Sequence, residues 1–226
     1  MYNLIILIFI NISIISIQHK NTNKQKIIYL IRHGTTSYNK KENLRVRGRS
    51  NISLSNEGIE EIQNLKQFLK DINLGQIISS PLERAKQSAK IIGENKTIIE
   101  EELINEMYFG DWENEYYKNL YKNSTDDEWY LKPNNVVIPN GETFYAVLDR
   151  INKFLIKFWE SNESIITVVT HGDLTSLFAL MFMNFSLDKF WTMYMQNGRI
   201  SKIIMNNIGD YRIDYWNLKP NENGGD

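Results

Sequence analysis

The sequence predicts an α/β domain, a three-layer sandwich in which a mostly parallel six-stranded sheet carries helices on both faces. Three observations predict it. Six short runs rich in Ile, Val and Thr alternate with longer stretches whose apolar residues recur at helical spacing. The best-defined runs, Lys26–Ile31 and Ser164–Thr170, are apolar almost throughout, as strands covered on both faces are. The chain of 226 residues, 42% hydrophobic and 23% charged, is long enough for one such domain with a sizeable core.

Residues 1–25 read as a leader and linker. Leu4 to Ile17 is apolar, broken only by Asn11, Ser13 and Ser16. It is shorter than the roughly 20 residues that span a bilayer and has the length of a signal-peptide core. Met1-Tyr2-Asn3 has no Lys or Arg, and no small-x-small cleavage site stands near Gln18. The segment is a signal, an anchor or an extension without function. The expected location is cytoplasmic, or exported or membrane-anchored if residues 4–17 work as a signal; no other membrane contact is expected. His19 to Gln25 is a polar linker.

The domain proper is expected over 26–218, with a disordered tail at 219–226. Lys26–Ile31 is the first strand. Ile59, Ile62, Leu65, Phe68, Leu69 and Ile72 form a helical stripe, with Ser55 as its N-cap. Gln76–Ser79 is the second strand. Ser80-Pro81-Leu82-Glu83 reads as a helix start, with an N-cap, proline at the first position and a capping-box glutamate, and Gly93 as its end. Thr97–Glu100 is a third strand. Residues 105–140 are irregular and rich in Tyr, Trp, Asn and acid, as a lid or site wall would be. Phe144, Val147, Leu148, Ile151, Phe154, Leu155 and Phe158 mark a long helix, and Ser164–Thr170 the fourth strand. Leu174, Leu177, Phe178 and Met181 mark the last helix. Arg199–Met205 and Tyr211–Trp216 complete the sheet. There is no internal repeat.

Composition excludes several function classes. A net charge of −1 offers no global attraction to nucleic acid. With no cysteine there are no disulfides, thiolate metal sites or cysteine nucleophiles.

Two of the three histidines, His33 and His171, follow apolar runs directly and precede glycine. Ligands of parallel sheets sit beyond the carboxyl ends of the strands, so two imidazoles at two such ends can face one site. Arg32 beside His33 disfavours a metal and favours an anion. Gly34 permits close backbone approach, and Thr35, Thr36 and Ser37 stand at the start of a following helix, a place that attracts anions. Arg84 falls in the first turn of the helix after the second strand, and a guanidinium matches phosphate geometry. Glu106, Asp111 and Glu113 lie among aromatics, where an apolar wall raises a carboxyl pKa toward neutrality. Glu142 is a first-turn acid of the long helix or a site residue. Each feature alone also has a structural reading: a surface turn, an exposed helical arginine, an acidic loop.

Together they specify phosphoryl transfer through histidine. His33 attacks phosphorus. Two arginines and a second, protonated histidine stabilise the oxygens. A carboxylic acid protonates the leaving oxygen and then activates water. Cationic side chains provide the charge that a metal supplies elsewhere, so neither metal nor cofactor is expected, and the partner is a small phosphomonoester.

Leu30-Ile31-Arg32-His33-Gly34-Thr35-Thr36, Asn39, Gly48 and Leu54-Ser55-Asn56-Glu57-Gly58 resemble the histidine phosphatase superfamily, of phosphoglycerate-mutase-like fold. Ser79-Ser80-Pro81-Leu82-Glu83-Arg84-Ala85, Gly141-Glu142-Thr143 and Thr170-His171-Gly172 match its later motifs in order, and the likeness covers roughly residues 26–205. The resemblance implies His33 as nucleophile, Arg32, Arg84 and His171 (with Gly172) as phosphate ligands, Asn39 and Gly48 as further substrate contacts, and Glu106 as proton donor. Leu103 to Glu113, Ile138 to Glu142 and Trp191 to Gly198 are similar to the α-ribazole phosphatases, a group of cobalamin assembly. Mutases carry a longer, more basic segment where this chain has Asn114-Glu115-Tyr116-Tyr117-Lys118. A metal-independent phosphatase is therefore expected, with phosphoglycerate mutase and an inactive phospho-ligand-binding module as alternatives. Arg47 departs from the small or neutral residue usual before Gly48. With Arg45 and Arg49 it makes a cationic loop, either solvated or recognising a second anionic group on the substrate.

Overall fold

A computed structural model describes residues 24–120 and 133–220. The apolar segment 4–17 and the tail beyond Pro220 lie outside them. Six strands, β1 (Lys26–Arg32), β2 (Gln76–Ser79), β3 (Ile98–Glu100), β4 (Ile165–Thr170), β5 (Ile200–Asn207) and β6 (Asp210–Leu218), form one sheet of order β3-β2-β4-β1-β5-β6. The first four run parallel, and β5 and β6 add an antiparallel hairpin, so the sheet is mixed but mostly parallel. Every strand falls where an apolar run sits in the sequence, with ends shifted by a residue or two.

Among the described residues, five helices connect and cover the sheet: α1 (Asn56–Phe68), α2 (Glu83–Gly93), the single turn α3 (Tyr117–Leu120), α4 (Phe144–Glu160) and α5 (Gly172–Met183). Side chains of β1 alternate between two cores, as the two-residue period of a strand requires. Ile28 and Leu30 pack with Phe154 and Leu155 of α4 and Leu177 and Phe178 of α5. Tyr29 and Ile31 pack with Ile62 and Leu65 of α1 and Ala85 and Ala89 of α2. Burial of each such Leu or Ile stabilises by about 1.5–3 kcal/mol. α5 is buried over most of its circumference, from Leu174 to Leu180, as expected of a helix apolar all round. Among the described residues no helix is long and apolar enough to cross a membrane.

The helix starts behave differently. Ser55 caps α1 by accepting the Gly58 N–H, and Thr143 caps α4 through Ala146 N–H. Ser80 is not the N-cap expected of it. α2 begins at Glu83 after Leu82, with no side-chain cap, and the Ser80 hydroxyl accepts the Leu82 N–H and also bonds Asn105 and His171. Gly93 is the last residue of α2, and Glu94 takes the positive φ. The gain from glycine at 93 is space, since a Cβ there would lie 2.8 Å from Ile98 Cδ1. Glu142 precedes the cap of α4 and is not in its first turn. Only a three-residue 3-10 turn, Ser37–Asn39, follows Thr36, so no helix end is offered there to an anion.

At the amino end of the sheet, Lys26 is fully buried. Its ammonium donates to Phe158 O, to Ser161 O at 2.9 Å and to Ser161 Oγ at 3.3 Å. These acceptors stand at the carboxyl end of α4, where Phe158 O also receives the Ser161 N–H at 3.2 Å.

Candidate active site

The parallel register of β1 and β4 sets the site. Arg32 pairs with Thr170, so the next residues, His33 and His171, leave the sheet side by side. The His33 N–H donates to Thr170 O at 3.0 Å, and the two imidazoles meet edge-on with centroids 5.2 Å apart. β2 lies on the far side of β4, so Ser80 and the first turn of α2, with Arg84, arrive at the same edge.

His33 Nδ1 lies 2.7 Å from Gly34 O. A carbonyl only accepts, so Nδ1 carries the proton and Nε2 holds a lone pair. That lone pair accepts the Arg84 Nε–H at 3.2 Å. Burial first, then the Arg84 and Arg32 charges, hold the His33 pKa well below its ordinary value, so the ring is neutral at neutral pH.

Arg84 is fully buried and also donates to Ser50 O at 2.8 Å and Gly48 O at 2.7 Å. Burial lowers its pKa to about 10, and it stays charged near neutrality. Arg32 is equally buried but less satisfied. Nη1 donates to Met195 O at 2.6 Å, the guanidinium lies 4.7 Å from the Tyr194 ring centroid, and Nε and Nη2 have no partner. His171 Nε2 lies 2.7 Å from Ser80 Oγ, and its Nδ1 has no partner. Three buried nitrogens of Arg32 and His171 are thus open, beside a ring with an available lone pair.

The glycines serve packing. A Cβ at Gly172 would lie 3.0 Å from Arg32 Cζ, so Gly172 leaves room for the guanidinium. One at Gly34 would strike Gly58 O at 2.4 Å, and the absence of a side chain seats the His33 turn on α1, where a ligand contact was expected. Gly48 has φ +45°, and a Cβ would overlap the Glu113 carboxylate.

Of the acidic residues at 106–113, only Glu106 is buried. Oε1 accepts the Met107 N–H at 2.9 Å. Burial, then the nearby Asp173 charge, raises its pKa to about 7 against the opposing pull of Arg84 and Arg47. Glu113 is a structural acceptor, taking Arg49 N–H at 2.7 Å and Phe109 N–H at 3.3 Å. Asp111 is exposed and bonds Asn140. Glu142 accepts from Arg49, Arg150 and the Tyr108 N–H, bracing this wall.

The three loop arginines separate. Arg45 stacks on Tyr116 at 3.7 Å and donates to Asn114 O, and Arg49 is paired with Glu142. Arg47 donates to Tyr38 O at 3.3 Å and borders a cavity of about 560 Å³ with Asn39, Tyr194 and Asn197. Its charge acts on His33, Arg84, Glu106 and Asp173. Asn39 Oδ1 accepts from Thr36 N–H and Oγ1, and its Nδ2 donates to Asn197. Thr35 gives both its donors to Glu61.

The buried setting of His171 opposes the charge expected on it. Burial, then Arg84, His33, Arg150 and Arg32, push its pKa well below the ordinary value. Sequence reasoning also passed over Ser80 as a partner of His171, and over Asn197, which donates to His33 O at 2.9 Å. Asp173, whose pKa burial raises, was missed too, although it follows His171-Gly172 directly.

A family model described as histidine phosphatase superfamily (branch 1) matches residues 28–219. The adenosylcobalamin/alpha-ribazole phosphatase of Escherichia coli is 28% identical over 184 residues, 79% of this chain and 90% of that protein. The putative phosphoserine phosphatase 2 of Hydrogenobacter thermophilus is 26% identical over 80% of this chain and 90% of its own. The crystal structure of a putative alpha-ribazole-5′-P phosphatase from Escherichia coli superposes with a TM-score of 0.76 at 26% identity, covering 86% of this chain and 97% of that one.

Proposed function

The chain belongs to the histidine phosphatase superfamily (branch 1) and is a phosphatase, and we propose that it hydrolyses small phosphomonoesters through a phosphohistidine on His33, without a metal ion. The observation that carries this reading is the trio of buried, unpartnered nitrogens, Arg32 Nε and Nη2 and His171 Nδ1, set around a neutral imidazole. Buried polar groups are nearly always paired, and a tetrahedral phosphate supplies acceptors for the two Arg32 donors and a proton-sharing partner for His171 Nδ1.

The lone pair on His33 Nε2 attacks phosphorus as the bond to the ester oxygen breaks. Glu106 gives its proton to the departing oxygen. Arg84 turns the Nε–H that it holds on His33 toward a phosphoryl oxygen, so that the charge built in the transition state meets donors already in place. In the second step carboxylate Glu106 takes a proton from water, the water oxygen attacks phosphorus, the P–N bond breaks and the electron pair returns to Nε2. A carboxyl with a pKa of about 7 suits both duties.

The relatives' names make α-ribazole-5′-phosphate the first substrate to assay. Arg47, unpaired by any carboxylate among the described residues, supports a second reading in which the substrate carries another anionic group. The test is phosphate release from a panel holding α-ribazole-5′-phosphate, phosphoserine, 3-phosphoglycerate and p-nitrophenyl phosphate, each with and without chelator. Release insensitive to chelator is expected. Conversion of 3-phosphoglycerate to its isomer faster than phosphate release would make the protein a mutase. No turnover of any ester would leave a binding module.

A further inference from the structure

His171 can bind a phosphoryl oxygen only as a donor, and its own partners decide whether it is one. The Ser80 hydroxyl has one proton and two lone pairs. Around it stand Leu82 N–H at 3.3 Å, Asn105 Oδ1 at 3.2 Å and His171 Nε2 at 2.7 Å. Leu82 N–H fills one lone pair. The Asn105 amide is oriented from both sides: Oδ1 accepts the Glu106 N–H at 3.0 Å, and Nδ2 donates to the Glu102 carboxylate at 3.1 Å. A flipped amide would set donor against donor and oxygen against oxygen. Oδ1 therefore faces Ser80 and can only accept, so Ser80 gives it the one proton it has. The remaining Ser80 lone pair must then receive a proton from His171 Nε2.

We propose that Asn105 and Ser80 are positioning residues that hold neutral His171 as its Nε2–H tautomer, so that it becomes a phosphate ligand only by taking a proton on Nδ1 as the phosphoryl group binds. With a monoanionic ester, the phosphate O–H breaks and the Nδ1–H forms within the site. With a dianion, the proton comes from solvent. The groups facing the ring are Arg84 from α2, neutral His33 and charged Arg32 from the end of β1, and Arg150 from α4, with Glu106 behind Asn105. Burial and the three arginines keep the ring neutral until an anion reverses the balance. The opposite arrangement, with Ser80 donating to Nε2, would leave two oxygen lone pairs facing each other at 3.2 Å in a fully buried position.

The inference rests on the phosphatase reading, and one experiment separates the two. The chain has three histidines, so nitrogen-15 spectra of histidine-labelled, full-length protein resolve each ring. They are recorded at a pH of about 8, where inorganic phosphate is a dianion, with and without that phosphate. Free His171 is expected as the Nε2–H tautomer and phosphate-bound His171 as the cation. In Asn105→Leu, Ser80 is released to donate to Nε2, and free His171 is expected to move to Nδ1–H. Ser80→Ala reads the same relay if the leucine protein does not fold. A free wild-type ring already cationic or Nδ1–H overturns the proposal, as does a tautomer unchanged in both variants. Absence of any phosphate effect on His33 and His171 overturns the phosphatase reading instead.

Discussion

The two ends of the parallel sheet each shield a cation from solvent and treat it in opposite ways. At the amino end Lys26 is saturated by the carbonyls and hydroxyl at the end of α4. At the carboxyl end Arg32 leaves two nitrogens and His171 one without a partner. Both ends bear the desolvation cost of buried polar groups. Where that cost is offset within the protein, the group supports the fold. Where it is left open, the chain retains affinity for something it does not itself contain. Burial thus does not distinguish a structural cation from a functional one, but hydrogen-bond completeness does.

Variants can break this contrast at either end. The largest effect is expected for His33→Ala, which removes the nucleophile: kcat should fall roughly 10⁴-fold or more in steady-state phosphate release. Arg32→Ala removes the open donors, and single-turnover rates should drop about 10²- to 10³-fold. Glu106→Gln should cost about 10²-fold with alkyl esters and much less with p-nitrophenyl phosphate, whose leaving group needs little protonation. The acid must be protonated for the first step, so kcat/KM for alkyl esters should decline as pH rises through about 7. Asp173→Asn removes a charge that raises the Glu106 pKa, and should move this limb to lower pH. An unmoved limb would assign it to another group. Arg47→Ala should lower kcat/KM about tenfold for esters with a second anion and less for p-nitrophenyl phosphate. Equal losses would make Arg47 a ligand of the transferred group. At the other end, Lys26→Met should lower stability by about 1–3 kcal/mol, read as a drop in Tm, and leave turnover per folded molecule intact.

How much of this was legible in the sequence follows the same division. The strands were readable because β-branched apolar runs are local signals, and Ser55 and Thr143 start helices as their side chains suggest. The start of α2 was misread because Ser80 takes the Leu82 N–H as a cap would, yet the helix begins only at Glu83 and the same hydroxyl also bonds His171 and Asn105, residues 91 and 25 positions away. Glu106 and Glu113 share one aromatic stretch, and only the folded chain shows that one is enclosed while the other braces Arg49 and Phe109. Three alternating arginines look alike until Tyr116 and Glu142 take two of them. The surroundings that oppose a charge on His171 were not legible because desolvation depends on everything packed around a ring, and a His-Gly dipeptide carries none of that information.

The most direct measurement is acid-quench trapping of the enzyme with phosphorus-labelled substrate, followed by peptide mapping. Label on His33, lost in His33→Ala and accumulating when Glu106→Gln slows hydrolysis of the intermediate, is the predicted result. Label on His171, or rapid phosphate release from His33→Ala with no labelled protein, would contradict it.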